Sequence, residues 1–210
     1  LRLWNYVPRI NAVTHGLEGY RQFNVGRQQA FIEASRDAFE GAPAACAVGA
    51  GADTLAIRFL AARTPALPVE NPRQVSAYRY SAAHGPRSPT FSRAALADAG
   101  TGRIALFVSG TASIVGEDSL HPGDPQAQLA ETLRNLEAVI EAAGRRCSTR
   151  FALADFHWVA YLRDPAQQGA IRAGLEAWAG PVVVVRSDIC RAELLVEIEG
   201  HAFAHGALIR

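Results

Sequence analysis

The sequence contains no methionine, so it does not open on a start residue, and further chain is expected before Leu1. Cysteine is nearly as scarce. Cys46, Cys147 and Cys190 form an odd, irregularly spaced set that excludes a disulfide framework and points to a reducing, cytoplasmic setting. No apolar run approaches the ~20 residues that a membrane-spanning helix needs. The opening Leu1-Arg2-Leu3-Trp4-Asn5 lacks the basic region and apolar core of a signal peptide. Neither sign of charge dominates: 21 basic and 20 acidic residues leave a net +1, which gives no field for a nucleic-acid partner. Gly49-Ala50-Gly51-Ala52 fits neither phosphate-loop pattern, and no serine elbow with ordered acid and histidine is visible. His201 and His205 stand at helical spacing on or beyond a strand, with no third ligand nearby, so neither a metal nor any other cofactor is expected.

What is present is ordinary globular material, 210 residues with 49% apolar and 20% charged residues, enough to bury a core. The chain reads as two blocks, 1–68 and 69–210. In the first, Tyr20, Phe23 and Phe31 share one face of a helix over 17–35, followed by strands at 44–49 and 54–60. The block looks like the back half of a domain. The prolines of 64–72 impose an extended linker. The second block predicts strands at 74–80, 91–96, 104–109, 151–162 and 194–203, and a fully buried one at 181–185. Two helices interrupt them, one opened by Asp124-Pro125 and ended by Gly144, the other opened by Asp164-Pro165 and running through Trp178. Helices packed on one face of a mixed sheet make the fold class α+β.

Arg73, Arg79, Arg87 and Arg93 fall within one segment, with Tyr78 and Tyr80 between them. Strand alternation turns Arg79 away from both tyrosines. On an arbitrary hairpin such arginines are solvated; on a binding face their planar forks suit carboxylates. In Val196-Glu197-Ile198-Glu199 both carboxylates take one face and both apolar residues the other.

Several strings then carry a resemblance. Gly85-Pro86-Arg87-Ser88, Phe107-Val108-Ser109-Gly110, the helix around Asn135-Leu136-Glu137 and Val196-Glu197-Ile198-Glu199 resemble the RidA-like fold. Leu3-Trp4-Asn5-Tyr6-Val7-Pro8-Arg9, Tyr20-Arg21-Gln22-Phe23-Asn24-Val25-Gly26-Arg27, Asn71-Pro72-Arg73-Gln74-Val75-Ser76-Ala77-Tyr78, Ser109-Gly110-Thr111-Ala112-Ser113-Ile114-Val115-Gly116 and His121-Pro122-Gly123-Asp124 are similar to the chorismatase family of hydroxybenzoate synthases.

The resemblance implies a C-terminal RidA-like catalytic domain at 69–210, preceded at 1–68 by the back half of a second such domain. It implies conversion of chorismate to 3-hydroxybenzoate and pyruvate, with 4-hydroxybenzoate left open as a further product. Glu197 would be the acid that protonates the enolpyruvyl group. Cys190 stands where the hydroxybenzoate-forming branch carries a cysteine. Substrate binding would fall to Arg73, Tyr78, Tyr80, Arg87, Arg93, Ser109, Gly110, Thr111 and Arg163. The partner would be a small molecule, with neither nucleic acid nor membrane, and the chain a monomer or homotrimer. Two alternatives stand beside this reading. An imine deaminase of the RidA type would need an arginine near Val182, and Arg87 replaces that family's tyrosine. A non-catalytic trimeric binding module would need neither acid nor thiol.

Overall fold

A computed structural model describes Leu1–Ala179 and Val182–Ile209. The chain runs β1 (Arg2–Pro8), β2 (Val13–Thr14), β3 (Leu17–Glu18), α1 (Gly19–Glu33), β4 (Ala44–Ala50), β5 (Ala56–Leu60), β6 (Leu67–Val69), β7 (Ala94–Gly100) and β8 (Arg103–Ala112). It continues through β9 (Ile114–Val115), β10 (Asp118–Ser119), α2 (Pro125–Gly144), β11 (His157–Leu162), α3 (Gln168–Ala179), β12 (Val182–Arg186) and β13 (Val196–His205). No described helix is long and apolar enough to cross a membrane.

Two sheets carry the architecture. The larger has the order β12-β11-β13-β8-β7-β6 and is antiparallel except for the β11–β12 pair. The smaller has the order β4-β1-β5, with β1 parallel to β4 and antiparallel to β5. The two share one topology. In each, a strand, a helix and a parallel strand are followed by a strand that returns antiparallel on the first strand's other side: β1-α1-β4-β5 and β11-α3-β12-β13.

α2 forms as its sequence dictates. The Asp124 carboxylate accepts from the Gln126 and Ala127 amides at 3.1 and 3.0 Å, and Pro125 occupies the first turn, where no donor is needed. Its apolar stripe, Leu129, Leu136, Val139, Ile140 and Ala143, packs with Leu96, Leu106, Val108, Trp158, Ala160 and Ile198 of the sheet. Ile171 and Leu175 of α3 complete that layer. On the opposite face of the large sheet, Ala95, Ala97, Ala105 and Phe107 pack with Ala44 of β4. The Ser109 hydroxyl locks this contact: it donates to the Ser92 carbonyl at 2.5 Å and accepts from the Ala45 amide at 2.9 Å.

Several expectations need correction. Gln74–Tyr80 is not a strand: Ala77–Arg79 and Ala82–His84 are single 3₁₀ turns in a loop that crosses the end of the sheet. The alternation argument for Arg79 therefore lapses, and its guanidinium instead sits 5.8 Å from the centre of the Tyr78 ring. Leu67–Val69, read as linker, pairs with β7 as an edge strand. The strand expected at 181–185 lies at the other sheet edge. Pro181 is outside the described residues, and Val183 and Val185 are exposed. β1, for which no strand was expected, is the centre of the small sheet.

Leu136 is fully buried at the middle of the α2–sheet contact. Leu136→Ala is expected to lower the unfolding free energy by about 2–5 kcal/mol, read from denaturant titration followed by circular dichroism.

Candidate active site

Glu197 and Glu199 do take one face of β13, but neither is solvated. The small sheet packs over this face, leaving Glu197 3% and Glu199 4% exposed. Arg2 of β1 accompanies them into the interior, paired with Glu199 and donating to the Val108 carbonyl at 3.1 Å. The Tyr161 hydroxyl donates to the other Glu199 oxygen at 2.7 Å. Glu199 is thus a carboxylate with a charged partner. Glu197 has no cation within ion-pairing distance among the described residues. The Cys190 thiol lies 3.9 Å from its Oε2.

Burial dominates the titration of Glu197. Loss of hydration disfavours its charged form and pushes its pKa up to about 7, against weaker opposing pulls from Arg2, the Cys190 thiol and Arg93. The Cys190 thiol is raised as well, by burial first and then by Glu197. It remains an S–H group rather than a thiolate nucleophile. Gly110 of β8 makes room for the acid: a Cβ there would overlap Glu197 Oε1 and stand 2.8 Å from its Cδ.

Glu197 opens into a cavity of about 340 Å³ lined by Tyr20, Tyr80, His84, Phe91, Arg93, Gly110, Cys190 and Arg191 among others. A narrow inner extension of about 30 Å³ shares Tyr20, Phe91, Gly110, Cys190 and Glu197 with it and ends at Arg27, Asn24 and Cys46. Arg93 lines the outer chamber and Arg27 the inner one, with Glu197 common to both. Each arginine carries buried N–H groups without a protein acceptor: Nε of Arg93, and Nε and Nη2 of Arg27. Such unpaired donors are costly in an interior and mark a place prepared for an anion. Arg93 is held by its Nη2, which donates to the Val75 carbonyl at 2.8 Å and the Tyr80 hydroxyl at 2.7 Å. Arg27 lies between the Phe23 and Phe31 rings, at 5.8 and 5.5 Å. Burial pulls its pKa down to about 10, which still leaves it charged at neutral pH.

The expected site residues separate into two groups. Glu197, Cys190, Tyr80, Arg93 and Gly110 meet on the cavity wall. The others do not line it. Arg73 turns to α2, binding Glu131 at 2.5 Å and Asn135 at 2.9 Å. Arg87 is exposed on the loop. Tyr78 is set apart from Tyr80 by the 3₁₀ turn, and its carbonyl accepts from the Ser88 hydroxyl at 3.0 Å. Ser109 joins the two sheets, and Thr111 donates to the Ser109 carbonyl at 2.9 Å. Arg163 is spent on backbone carbonyls and the Asp188 carboxylate. Val182, where a deaminase would carry its arginine, is core.

Tyr20 and Arg27 had been passed over, although both stand in a string singled out above. A signal was available. Tyr20, Asn24 and Arg27 fall at i, i+4 and i+7, on one helix face. The buried positions of α1 are the polar Asn24 and Gln28, so this helix turns polar groups inward to build a cavity wall.

Residues 1–61 match the family described as chorismatase FkbO/Hyg5-like, N-terminal. A chorismatase of Streptomyces rapamycinicus is 41% identical over 209 residues, which is 95% of this chain and 62% of the relative. A 3-hydroxybenzoate synthase of Streptomyces hygroscopicus is 38% identical over 95% of this chain and 62% of its own length. A chorismatase crystal structure superposes with a TM-score of 0.88 at 37% identity, over 96% of this chain and 63% of that one. The chain thus spans about three fifths of the length of the curated relatives it matches.

The folded chain holds the Glu197 proton to about pH 7, whereas the unfolded chain releases it near 4.5. The carboxylate therefore costs no stability below the unfolded value; the cost grows as pH rises from there to the folded value and levels off above it. Glu197→Gln should match the parent in unfolding free energy at pH 4.5. At pH 8 it should exceed the parent by on the order of 2–3 kcal/mol. Denaturant titrations at the two pH values measure this difference.

Proposed function

From this kinship with the chorismatases, we propose that the protein cleaves chorismate to 3-hydroxybenzoate and pyruvate. The observation that carries the reading is that Arg27 and Arg93, both with unpartnered buried donors, stand one in each of the two chambers that share the protonatable Glu197, with the unpartnered Nη2 of Arg191 beside Arg93 on the outer wall. Chorismate has two carboxylates joined through a ring and an enolpyruvyl ether. One carboxylate would lie on each guanidinium, leaving the enolpyruvyl carbon near the acid.

Glu197 delivers its proton to the enolpyruvyl methylene carbon, which turns the ether into a leaving group. The ring C4 hydroxyl displaces it from C3, forming an epoxide as the C3–O bond breaks and pyruvate departs. The hydroxyl proton returns to the Glu197 carboxylate. Opening of the epoxide at C4 with loss of the C3 proton yields 3-hydroxybenzoate. Substrate and products contain the same atoms, so neither water nor an electron carrier is consumed. Cys190, an uncharged thiol touching the acid, fills the space where a water would otherwise reach the ring. Direct elimination of pyruvate gives 4-hydroxybenzoate as a side product.

We assign residues 1–68 to the back half of one RidA-like domain and 69–210 to a second, catalytic one. The shared topology of β1-α1-β4-β5 and β11-α3-β12-β13 supports this division. The cavity suits a small molecule, and a cytoplasmic location agrees with three unpaired cysteines.

Glu197→Gln is expected to lower turnover by roughly 10²–10⁴ while chorismate still binds. In the parent, kcat/KM should fall above about pH 7, because the protonated acid is the active form. Arg27→Ala and Arg93→Ala should each cost about 2–5 kcal/mol of chorismate binding in calorimetric titration. Normal binding by both would refute the carboxylate assignment. Cys190→Ala should lower the 3-hydroxybenzoate fraction and raise a hydrated, dihydroxy-diene product at equal substrate consumed, as read by chromatography. Its overall consumption rate should fall less than that of Glu197→Gln.

A further inference from the structure

Arg163 follows β11 directly, and its side chain reaches the irregular segment 187–195 that joins β12 to β13. This segment supplies Cys190, Arg191 and Glu193 to the cavity wall. The Arg163 side chain makes five hydrogen bonds in this region. Nε donates to the Leu194 carbonyl at 3.0 Å, and Nη1 to Asp188 Oδ1 at 2.7 Å and Asn11 Oδ1 at 3.1 Å. Nη2 donates to the Ile189 and Arg191 carbonyls, both at 3.1 Å. Those last two acceptors flank Cys190 in sequence.

We propose that Arg163 is a positioning residue, fixing Cys190 and Arg191 in the cavity wall and through Cys190 the partition between products. The second half of this statement rests on the chorismate-cleaving reading. The planar fork is what the task requires, because one rigid group must span three carbonyls and a carboxylate at once. A lysine supplies the charge for Asp188 without that reach. The ends of the segment are tied down independently: the Gly49 amide donates to the Asp188 carbonyl at 2.7 Å, and the Gln128 side chain donates to the Glu193 carbonyl at 2.9 Å. Between them the Ile189 carbonyl is held by Arg163 and by Asn11 Nδ2, the latter at 3.0 Å. Arg191 is steadied further by the Glu117 carbonyl and the Ser119 hydroxyl, at 2.8 and 3.0 Å. Loss of Arg163 therefore frees the stretch that carries the thiol and leaves its flanks anchored.

The test compares the parent with Arg163→Lys, using a maleimide as thiol probe and peptide mass spectrometry to follow each cysteine. Cys46 and Cys147, both buried, are internal references. Labelling of Cys190 relative to the references should rise about tenfold in Arg163→Lys, the scale of losing one or two hydrogen bonds. With chorismate as substrate, its product ratio should move toward that of Cys190→Ala. Asn11→Ala should shift both readouts in the same direction by less, and it carries the test if Arg163→Lys is recovered unfolded. Unchanged relative labelling in the folded variants, or a parallel rise at all three cysteines, overturns the proposal. Faster Cys190 labelling with an unchanged product ratio overturns its product half alone. If the parent consumes no chorismate, the functional reading fails while the labelling still decides the positioning role.

Discussion

Everything in the candidate site depends on one sheet covering another. The large sheet has α2 and α3 on one face. Its other face would be open and wet if β1 and β4 did not lie across the β8–β13 region. That cover removes water from Glu197 and Glu199, and desolvation is the largest influence on the Glu197 carboxyl. Two buried carboxylates on one strand would repel each other if both were charged. The protein resolves this by giving Glu199 a full partner in Arg2 and a donor in Tyr161, and by leaving Glu197 to hold its proton. Arg2 belongs to the first strand and Glu199 to the last, so the acid's environment is set by contacts between the two ends of the chain.

The same cover explains where the cations stand. A guanidinium with spare donors in an interior is a standing cost unless a ligand completes it. Arg93 spends part of its fork on Val75 and Tyr80, whereas Arg27 rests its plane between two phenylalanine rings. The opposite fate befalls Arg73 and Arg163, whose donors are taken up by Glu131, Asn135 and a run of backbone carbonyls. Arg27 and Arg93 thus keep spare buried donors, whereas Arg73 and Arg163 hold the frame.

The recurrence of strand–helix–strand–strand in both sheets gives the two halves different duties on one plan. In the second half, β13 goes on to pair with β8 and gains a deep core. In the first, β5 ends the sheet among the described residues, with Phe59 72% exposed. Its helix α1 buries Asn24 and Gln28 where α3 buries Ile171 and Leu175. A helix that buries amides in place of apolar side chains contributes less to stability, and here it shapes a cavity wall.

Much of the second half was legible in the sequence, because its signals are local. Asp124-Pro125 caps α2 through the backbone geometry of its own first turn, and the α2 stripe follows from the helical period. The alternation in Val196–Glu199 correctly placed both carboxylates on one face. What alternation does not carry is the identity of the opposing layer, so solvent and interior could not be told apart there. Residues 74–80 read as a strand because their polar and aromatic residues mimic period two, while their path is set by distant segments: the Gln74 side chain donates to the Ile114 carbonyl and the Val75 amide to that of Gly116. For the same reason Arg73 and Arg163 looked like ligand-binding residues: an arginine's role is decided by which acceptors stand at the end of a long side chain, and those acceptors come from elsewhere in the chain. Sequence by itself determined the α+β class, the helix limits and the chemistry at hand. Tertiary structure alone decided which acid loses its water, because burial is a property of what packs across a face and not of the residues within it.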